Sequence, residues 1–160
     1  MSYFNFIASD YEMPGVDNTD KHRMTVKKAV DRGLMTNEYD LPLDSEVLIY
    51  ETEEEFDELM IHSSDFINDK VVRTHTKKSY LNDVHLGSCK CHYEALLCYL
   101  YENMKPGTTV ELWKIWVSEP EKPIVKTINL QDLTIQHLDT MLKHQNKTSA
   151  LFIKLSLIHI

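Results

Sequence analysis

The residue types best suited to metal and thiol chemistry lie together in one short segment, His85-Leu-Gly-Ser-Cys89-Lys-Cys91-His92. Thiolates and imidazoles are the usual ligands of zinc and copper, so the candidate ligands are His85, Cys89, Cys91 and His92. A helix turns about 100° per residue, which would place Cys89 and Cys91 roughly 200° apart if both were helical. They could share an ion only if residues 85–91 form a loop. We therefore expect small thiols packed around a helix N-terminus, and no metal.

A complete tetrahedral site would also need a ligand from elsewhere in the chain, because no second cysteine-rich pair is present. The imidazoles of His22, His62 and His75 are the available groups.

Cys91 is also the candidate nucleophile, with His92 as its base. A cysteine at a helix N-terminus has a lowered pKa, which favours the reactive thiolate. Adjacent helical residues point about 100° apart, however, so the two side chains are not expected to bond as a catalytic pair. The sequence therefore leans against an enzyme.

A run of carboxylates occupies residues 51–58. Its members are Glu51, Glu53, Glu54, Glu55, Asp57 and Glu58. The Thr52–Glu55 spacing is that of a capping box, and acids in a first turn suit the helix dipole, so a solvated helix start is the simplest interpretation. The alternative is a docking patch for a basic partner, because no base lies within the run.

The charge balance supports a basic protein partner and excludes nucleic acid. The formal net charge is −8, and residues 1–60 contain 15 acids against 5 bases. The small basic cluster of Arg73, Lys77 and Lys78 cannot supply the cationic footprint that a nucleic-acid binder needs. Self-association as a homodimer is the other partner hypothesis.

Cofactors, membranes and secretion are not expected. The sequence has four glycines and no glycine-rich phosphate loop, so we expect no cofactor. No apolar run reaches the ~20 residues of a membrane span, and the first residues do not resemble a signal peptide. Three cysteines within ten residues form no disulfide framework, which indicates a cytoplasmic protein.

The elements that must position these candidate residues are predicted to form an α+β fold. The N-terminal portion, residues 1–70, is predicted as an acidic strand, loop and short-helix segment that packs on a sheet, within a single domain of 160 residues. Its strands are predicted at Tyr3–Ala8, Glu46–Tyr50 and Leu59–Ile61, and the Thr25 cap predicts a helix over Val26–Arg32.

Residues 71–158 are predicted to have a ferredoxin-like β-α-β-β-α-β order in an antiparallel or mixed sheet. The β-branched segment Val71–Thr76 should be its first strand and should pair with Leu59–Ile61 across a loop at Ser63–Asp69. An apolar stripe from Tyr93 to Met104 predicts the first helix. The other predicted elements are strands at Thr109–Val117, Ile124–Leu130 and Ala150–Ile158 and a helix capped by Thr134.

The tryptophan-bearing strand has apolar residues on both sides. Alternation sends Trp113, Ile115 and Val117 one way, and Val110, Leu112 and Trp116 the other. A half-solvated strand would not be apolar on both faces. We therefore expect the second face, formed by Val110, Leu112 and Trp116, to be covered by the N-terminal residues, a second subunit or a ligand.

Two short stretches, Met1–Pro14 and Val110–Trp116, resemble a group of small uncharacterised bacterial proteins of unknown function. The resemblance implies a bacterial, cytosolic protein and no particular activity.

These observations favour a non-catalytic interaction or regulatory protein, of the immunity or regulator type, whose acidic face meets a basic partner. One alternative is a small enzyme or metal-dependent module built on Cys89, Cys91 and His92. The other is a small-molecule sensor with Trp113 and Trp116 in a pocket wall.

Overall fold

A six-stranded mixed sheet forms the centre of the computed structural model, which describes residues 3–64, 69–117 and 122–157. The spatial order of its strands is β4-β5-β1-β6-β8-β7, and a separate two-stranded sheet pairs β2 with β3. The strands are β1 Tyr3–Ser9, β2 Arg23–Thr25, β3 Glu46–Leu48, β4 Met60–Ser63, β5 Tyr80–His85, β6 Thr109–Trp116, β7 Ile124–Asn129 and β8 Ser149–Lys154.

Five α-helices accompany these strands in the described residues. They are α1 Val26–Asp31, α2 Glu53–Phe56, α3 Lys70–His75, α4 Lys90–Asn103 and α5 Ile135–Asp139. A π-helical turn over Thr140–His144 continues α5. No helix in the described ranges is long and apolar enough to cross a membrane.

The capping patterns in the sequence fix three helix starts. The hydroxyls of Thr25, Thr52 and Thr134 each accept a hydrogen bond from the backbone N–H three residues later. Side-chain caps of this kind satisfy N–H groups that the first turn leaves without a partner. The predictions of α1, α2 and α5 are confirmed.

The prediction of a strand at Val71–Thr76 is wrong, because these residues form α3. The carboxylate of Asp69 accepts a hydrogen bond of 2.7 Å from the Val71 N–H and caps the helix. This local bond and the burial of Val72 outweigh the weak strand preference of β-branched residues. The strand that pairs with β4 is β5. Part of the loop predicted at Ser63–Asp69, residues 65–68, lies outside the described residues, as does the Ile158 end of the last predicted strand.

Helices and a mixed sheet confirm an α+β architecture, but the ferredoxin-like arrangement is not confirmed. The order β-α-β-β-α-β does occur along the chain from β5 to β8. In space, however, β1 lies between β5 and β6 and is antiparallel to both. Tyr3–Ser9 therefore forms a central strand of the sheet. At the other end of the sheet, β7 runs parallel to β8.

Both faces of β6 are covered. On one face, Val110 and Leu112 are buried in a core that includes Leu96 and Leu100 of α4. On the other face, Trp113 and Ile115 are buried in a second cluster with Phe6, and Val72 of α3 belongs to that cluster. The ring of His75 also lies 5.3 Å from the Trp113 ring, and its burial lowers the pKa of His75.

Trp116 is half-buried at the end of the α4 side of β6. Its ring centroid lies 4.8 Å from that of Tyr3, and its Nε1 donates a 3.3 Å hydrogen bond to the carbonyl of Gln145. The ammonium of Lys114, on the same face, lies 5.3 Å from the indole and donates a 2.8 Å hydrogen bond to the Leu142 carbonyl. The face predicted to need a cover, formed by Val110, Leu112 and Trp116, is therefore covered by α4 and the α5 region.

If α3 packs over Trp113, the stability of the fold should depend on the α3 residue that is buried there. Val72→Ala removes a side chain that is 0% exposed and should lower the free energy of unfolding by about 2 kcal/mol. The matched control is Val71→Ala, because Val71 is 44% exposed and its loss should change stability by less than about 0.5 kcal/mol. Urea unfolding followed by circular dichroism measures both values. Equal effects at the two positions would contradict this packing.

Candidate functional site

The start of α4 brings the sulfur atoms of Cys89 and Cys91 together. The first helical residue is Lys90, so Cys89 is the N-cap, with extended backbone angles of φ −69° and ψ 144°. The two sulfurs lie 2.8 Å apart, longer than the ~2.05 Å of a disulfide bond, and both thiols are free. Two helical residues at positions 89 and 91 would point too far apart to share an ion. Cys89 lies outside the helix, so this restriction does not apply to the pair.

His92 completes this cluster. Its ring is 4% exposed, and a ring nitrogen and the sulfurs of Cys89 and Cys91 all lie within 4.8 Å of one another. Nε2 lies 2.8 Å from the backbone carbonyl oxygen of Glu54 in α2. A carbonyl only accepts hydrogen bonds, so this contact places the ring proton on Nε2 and the lone pair on Nδ1. Nδ1 is buried and has no hydrogen-bond partner among the described residues.

This arrangement does not activate Cys91 as a nucleophile. The Cys91 S–H donates a hydrogen bond to the Cys89 sulfur, and this bond, together with desolvation and the charge of Glu54, raises the pKa of the Cys91 thiol. The base of the predicted pair is bonded to the Glu54 carbonyl, and its other nitrogen has no bond to Cys91. A raised pKa leaves less thiolate at neutral pH, which is the opposite of what covalent catalysis needs.

The other predicted ligands lie elsewhere. The ring of His85 is stacked 5.7 Å from that of His62, on the paired strands β4 and β5. His22 lies beside Glu58, and His75 packs on Trp113. The cluster therefore consists of Cys89, Cys91 and His92 within the described part of the chain.

The acidic run surrounds α2 and faces two different cavities. Glu54, Glu55 and Glu58 line a cleft of about 700 Å³ between α2 and α4. Glu51, Glu53 and Asp57 line a second cavity of about 830 Å³ on the other side of α2. We call the first the thiol cleft and the second the acidic groove. Neither is lined by Trp113 or Trp116.

The thiol cleft joins two features that are far apart in the sequence. Besides the three glutamates, its wall contains Cys91, His92 and Cys98, together with Glu102. Cys91 and Cys98 are seven residues apart, so they lie on the same side of α4. No local sequence pattern predicts this convergence, because contact between residues 54–58 and 91–102 depends on tertiary structure.

The acidic groove has an apolar floor. Leu34, Leu48, Ile49 and Phe56 line it beside the carboxylates. Phe56 is 69% exposed, and its ring meets that of Tyr50 edge to face at 5.3 Å. Phe56 thus offers an exposed aromatic surface within a groove that carboxylates also line.

Ion pairs neutralise only part of the acidic run. Glu51 pairs with Arg32 at 3.3 Å, and Glu58 pairs with Lys21 at 2.7 Å. Among the described residues, no base lies within ion-pair distance of Glu53, Glu54 or Asp57. Two of these three free carboxylates, those of Glu53 and Asp57, line the acidic groove.

Comparison with protein-family models, curated proteins and solved structures finds no match to this chain.

The Lys21–Glu58 pair gives a prediction that depends on pH. Burial alone would raise the pKa of Glu58, but the hydrogen bond and charge of Lys21, aided by His22, hold that pKa below its usual value of 4.5. A lowered carboxyl pKa stabilises the fold above the unfolded pKa, and the contribution is lost as the pH falls through the folded value.

Lys21→Met should therefore lower the free energy of unfolding by about 0.5–1 kcal/mol at pH 7, and the difference from wild type should shrink toward pH 3. Lys27→Met is the matched control, because no ion pair joins Lys27 to another described residue. Urea titrations at pH 7, 5, 4 and 3 give the comparison. A Lys21→Met effect that does not change with pH would contradict the pairing.

Proposed function

We propose that this protein is a non-catalytic interaction module that binds a basic, amphipathic segment of another protein in the acidic groove. The main support is that the exposed Phe56 ring and the free carboxylates of Glu53 and Asp57 line the same groove. An aromatic anchor with a charged rim is the arrangement that gives protein interfaces their affinity and their specificity.

The charge of the groove favours a basic partner over a second copy of this chain. Two copies meeting through this surface would bring Glu53 and Asp57 of each close to the same groups of the other. The formal net charge of −8 adds to that repulsion. A partner with lysines or arginines around an apolar side chain would instead pair with the rim while it covers Phe56.

The floor of the groove supplies apolar contact area. Leu48, which lines the groove, is 43% exposed and can contact a bound side chain. Tyr50 supports the Phe56 ring from one side and packs against His22, whose ring centroid is 4.6 Å away. Phe56 therefore sits on an aromatic support, and the support reduces the rotamer entropy that binding would remove.

A labelled peptide tests the proposal. The probe is a 14-residue synthetic peptide with alternating lysine and leucine and a fluorescein tag, and its binding is followed by fluorescence anisotropy. We expect saturable binding that weakens at least tenfold between 50 and 300 mM NaCl, because rim charges are screened over ~10 Å at 0.1 M salt. Phe56→Ala and the double change Glu53→Gln with Asp57→Asn should each weaken binding by about tenfold, close to 1.4 kcal/mol.

Two controls make the result specific. Tyr39→Ala removes an aromatic ring that is 88% exposed outside the groove and should leave binding unchanged. A peptide with glutamate in place of lysine should not bind. Equal binding of the acidic peptide, no effect of salt, or full binding by Phe56→Ala would refute the proposal. A dimer lost in Phe56→Ala, seen by light scattering at the same concentrations, would assign the groove to self-association instead.

A further inference from the structure

The geometry points to a zinc site formed by Cys89, Cys91 and His92 at the start of α4, with its open coordination position facing the thiol cleft. None of its three ligands lines the acidic groove. Its three ligand atoms already lie within 4.8 Å of one another, and two of its residues, Cys91 and His92, line the cleft.

The N-cap position of Cys89 is what makes a shared ion possible. An N-cap residue has extended backbone angles, so its side chain does not follow the 100° helical rotation. The Cys89 sulfur thereby reaches the Cys91 sulfur, although only one residue separates them. Coordination would move the sulfurs from 2.8 Å to the wider separation that two Zn–S bonds of about 2.3 Å in a tetrahedral site require.

The buried ring of His92 is the second and independent observation. A histidine that is 4% exposed and has an unpartnered Nδ1 lone pair carries a desolvation cost with no compensating bond in the described residues. A cation on Nδ1 would supply that bond. The 2.8 Å hydrogen bond from Nε2–H to the Glu54 carbonyl is the outer contact that zinc-bound histidines usually make, and it fixes the required tautomer.

Gly87 keeps the loop before Cys89 close to this ring. A Cβ at position 87 would lie 2.8 Å from His92 Nδ1 and 2.7 Å from the Asp57 Cβ. Only glycine therefore allows the loop to approach the nitrogen so closely. The Gly87 N–H also donates a 2.8 Å hydrogen bond to the Asp57 carbonyl, so the loop and α2 hold the ring from two sides.

The ligand set selects the class of ion. Two thiolates and one imidazole are a soft donor set that suits zinc and disfavours magnesium or calcium. Three protein ligands leave a fourth tetrahedral position, as in zinc sites that take water or a further ligand there. Carboxylates of Glu54, Glu55 and Glu58 line the same cleft and favour a divalent cation over a monovalent one.

Zinc titration of the full chain tests the site. The protein is purified without a histidine tag, reduced, and titrated with zinc against a chromophoric chelator, with magnesium as a comparison. We expect one zinc per chain and no magnesium binding at the same concentrations. Cys89→Ser, Cys91→Ser and His92→Gln should each weaken zinc binding by at least about 100-fold. Loss of a residue that only hydrogen-bonds to a ligand weakens metal binding by up to about 100-fold, and loss of a ligand itself should cost no less.

Cys98→Ser is the matched control, because Cys98 lies on the same wall of the cleft but outside the cluster. It should bind zinc as the wild type does. X-ray absorption of the wild-type zinc complex does not depend on how the variants fold, and it should show two sulfur neighbours and at least one nitrogen. Full binding by Cys91→Ser, a spectrum without sulfur, or binding of copper(I) but not zinc would overturn the assignment.

The zinc site and the proposed function can fail separately. Phe56→Ala should bind zinc normally, and Cys91→Ser should bind the lysine–leucine peptide normally. Loss of zinc binding in Phe56→Ala would place the ion outside the cluster.

Discussion

The hydrogen bond from His92 to the Glu54 carbonyl ties the acidic residues around α2 to the start of α4. The helix α2 has four residues, none of them buried, so packing cannot hold it, and helices this short are not stable alone. Besides the Thr52 cap and the ion pairs of Glu51 and Glu58, two hydrogen bonds from the α4 side hold it in place. One is the 2.8 Å contact from His92, and the other is the Gly87 N–H on the Asp57 carbonyl. The segment before α4 therefore positions both the thiol cleft and the acidic groove.

The register of α4 determines which of its side chains face the thiol cleft. Leu96 and Leu100 are 0% exposed in the core under the sheet, and they fix which side of the helix faces inward. Cys91 and Cys98 consequently face the cleft, and His92 turns toward α2. If the helix began one turn earlier, Cys89 would be helical and its sulfur would project away from that of Cys91. The cluster thus depends on where the helix begins as much as on which residues are present.

Local signals in the sequence predicted much of the secondary structure but not its arrangement. The Thr25, Thr52 and Thr134 caps and the apolar stripe of α4 depend on residues within one or two turns, and the structure agrees with each. In α3, the cap at Asp69 prevailed over the β-branched composition from which a strand was predicted. The insertion of β1 between β5 and β6 joins residues about 75 and 105 positions apart, which no local pattern encodes. The contact of His92 with Glu54 is non-local for the same reason.

The two faces of α2 offer chemically different donors and therefore suit different ligands. Separate carboxylates on the acidic groove attract cationic groups over several ångströms, an attraction that salt screens. The sulfurs and the imidazole of the thiol cleft act only on direct coordination, and salt has little effect on such bonds. Calcium or magnesium would need several oxygens converging on one point. The carboxylates of the acidic run are instead divided between opposite sides of a short helix, and two of them are already paired with Lys21 and Arg32. A hard cation therefore gains little at either place, whereas a basic side chain suits the groove and a thiophilic ion suits the cleft.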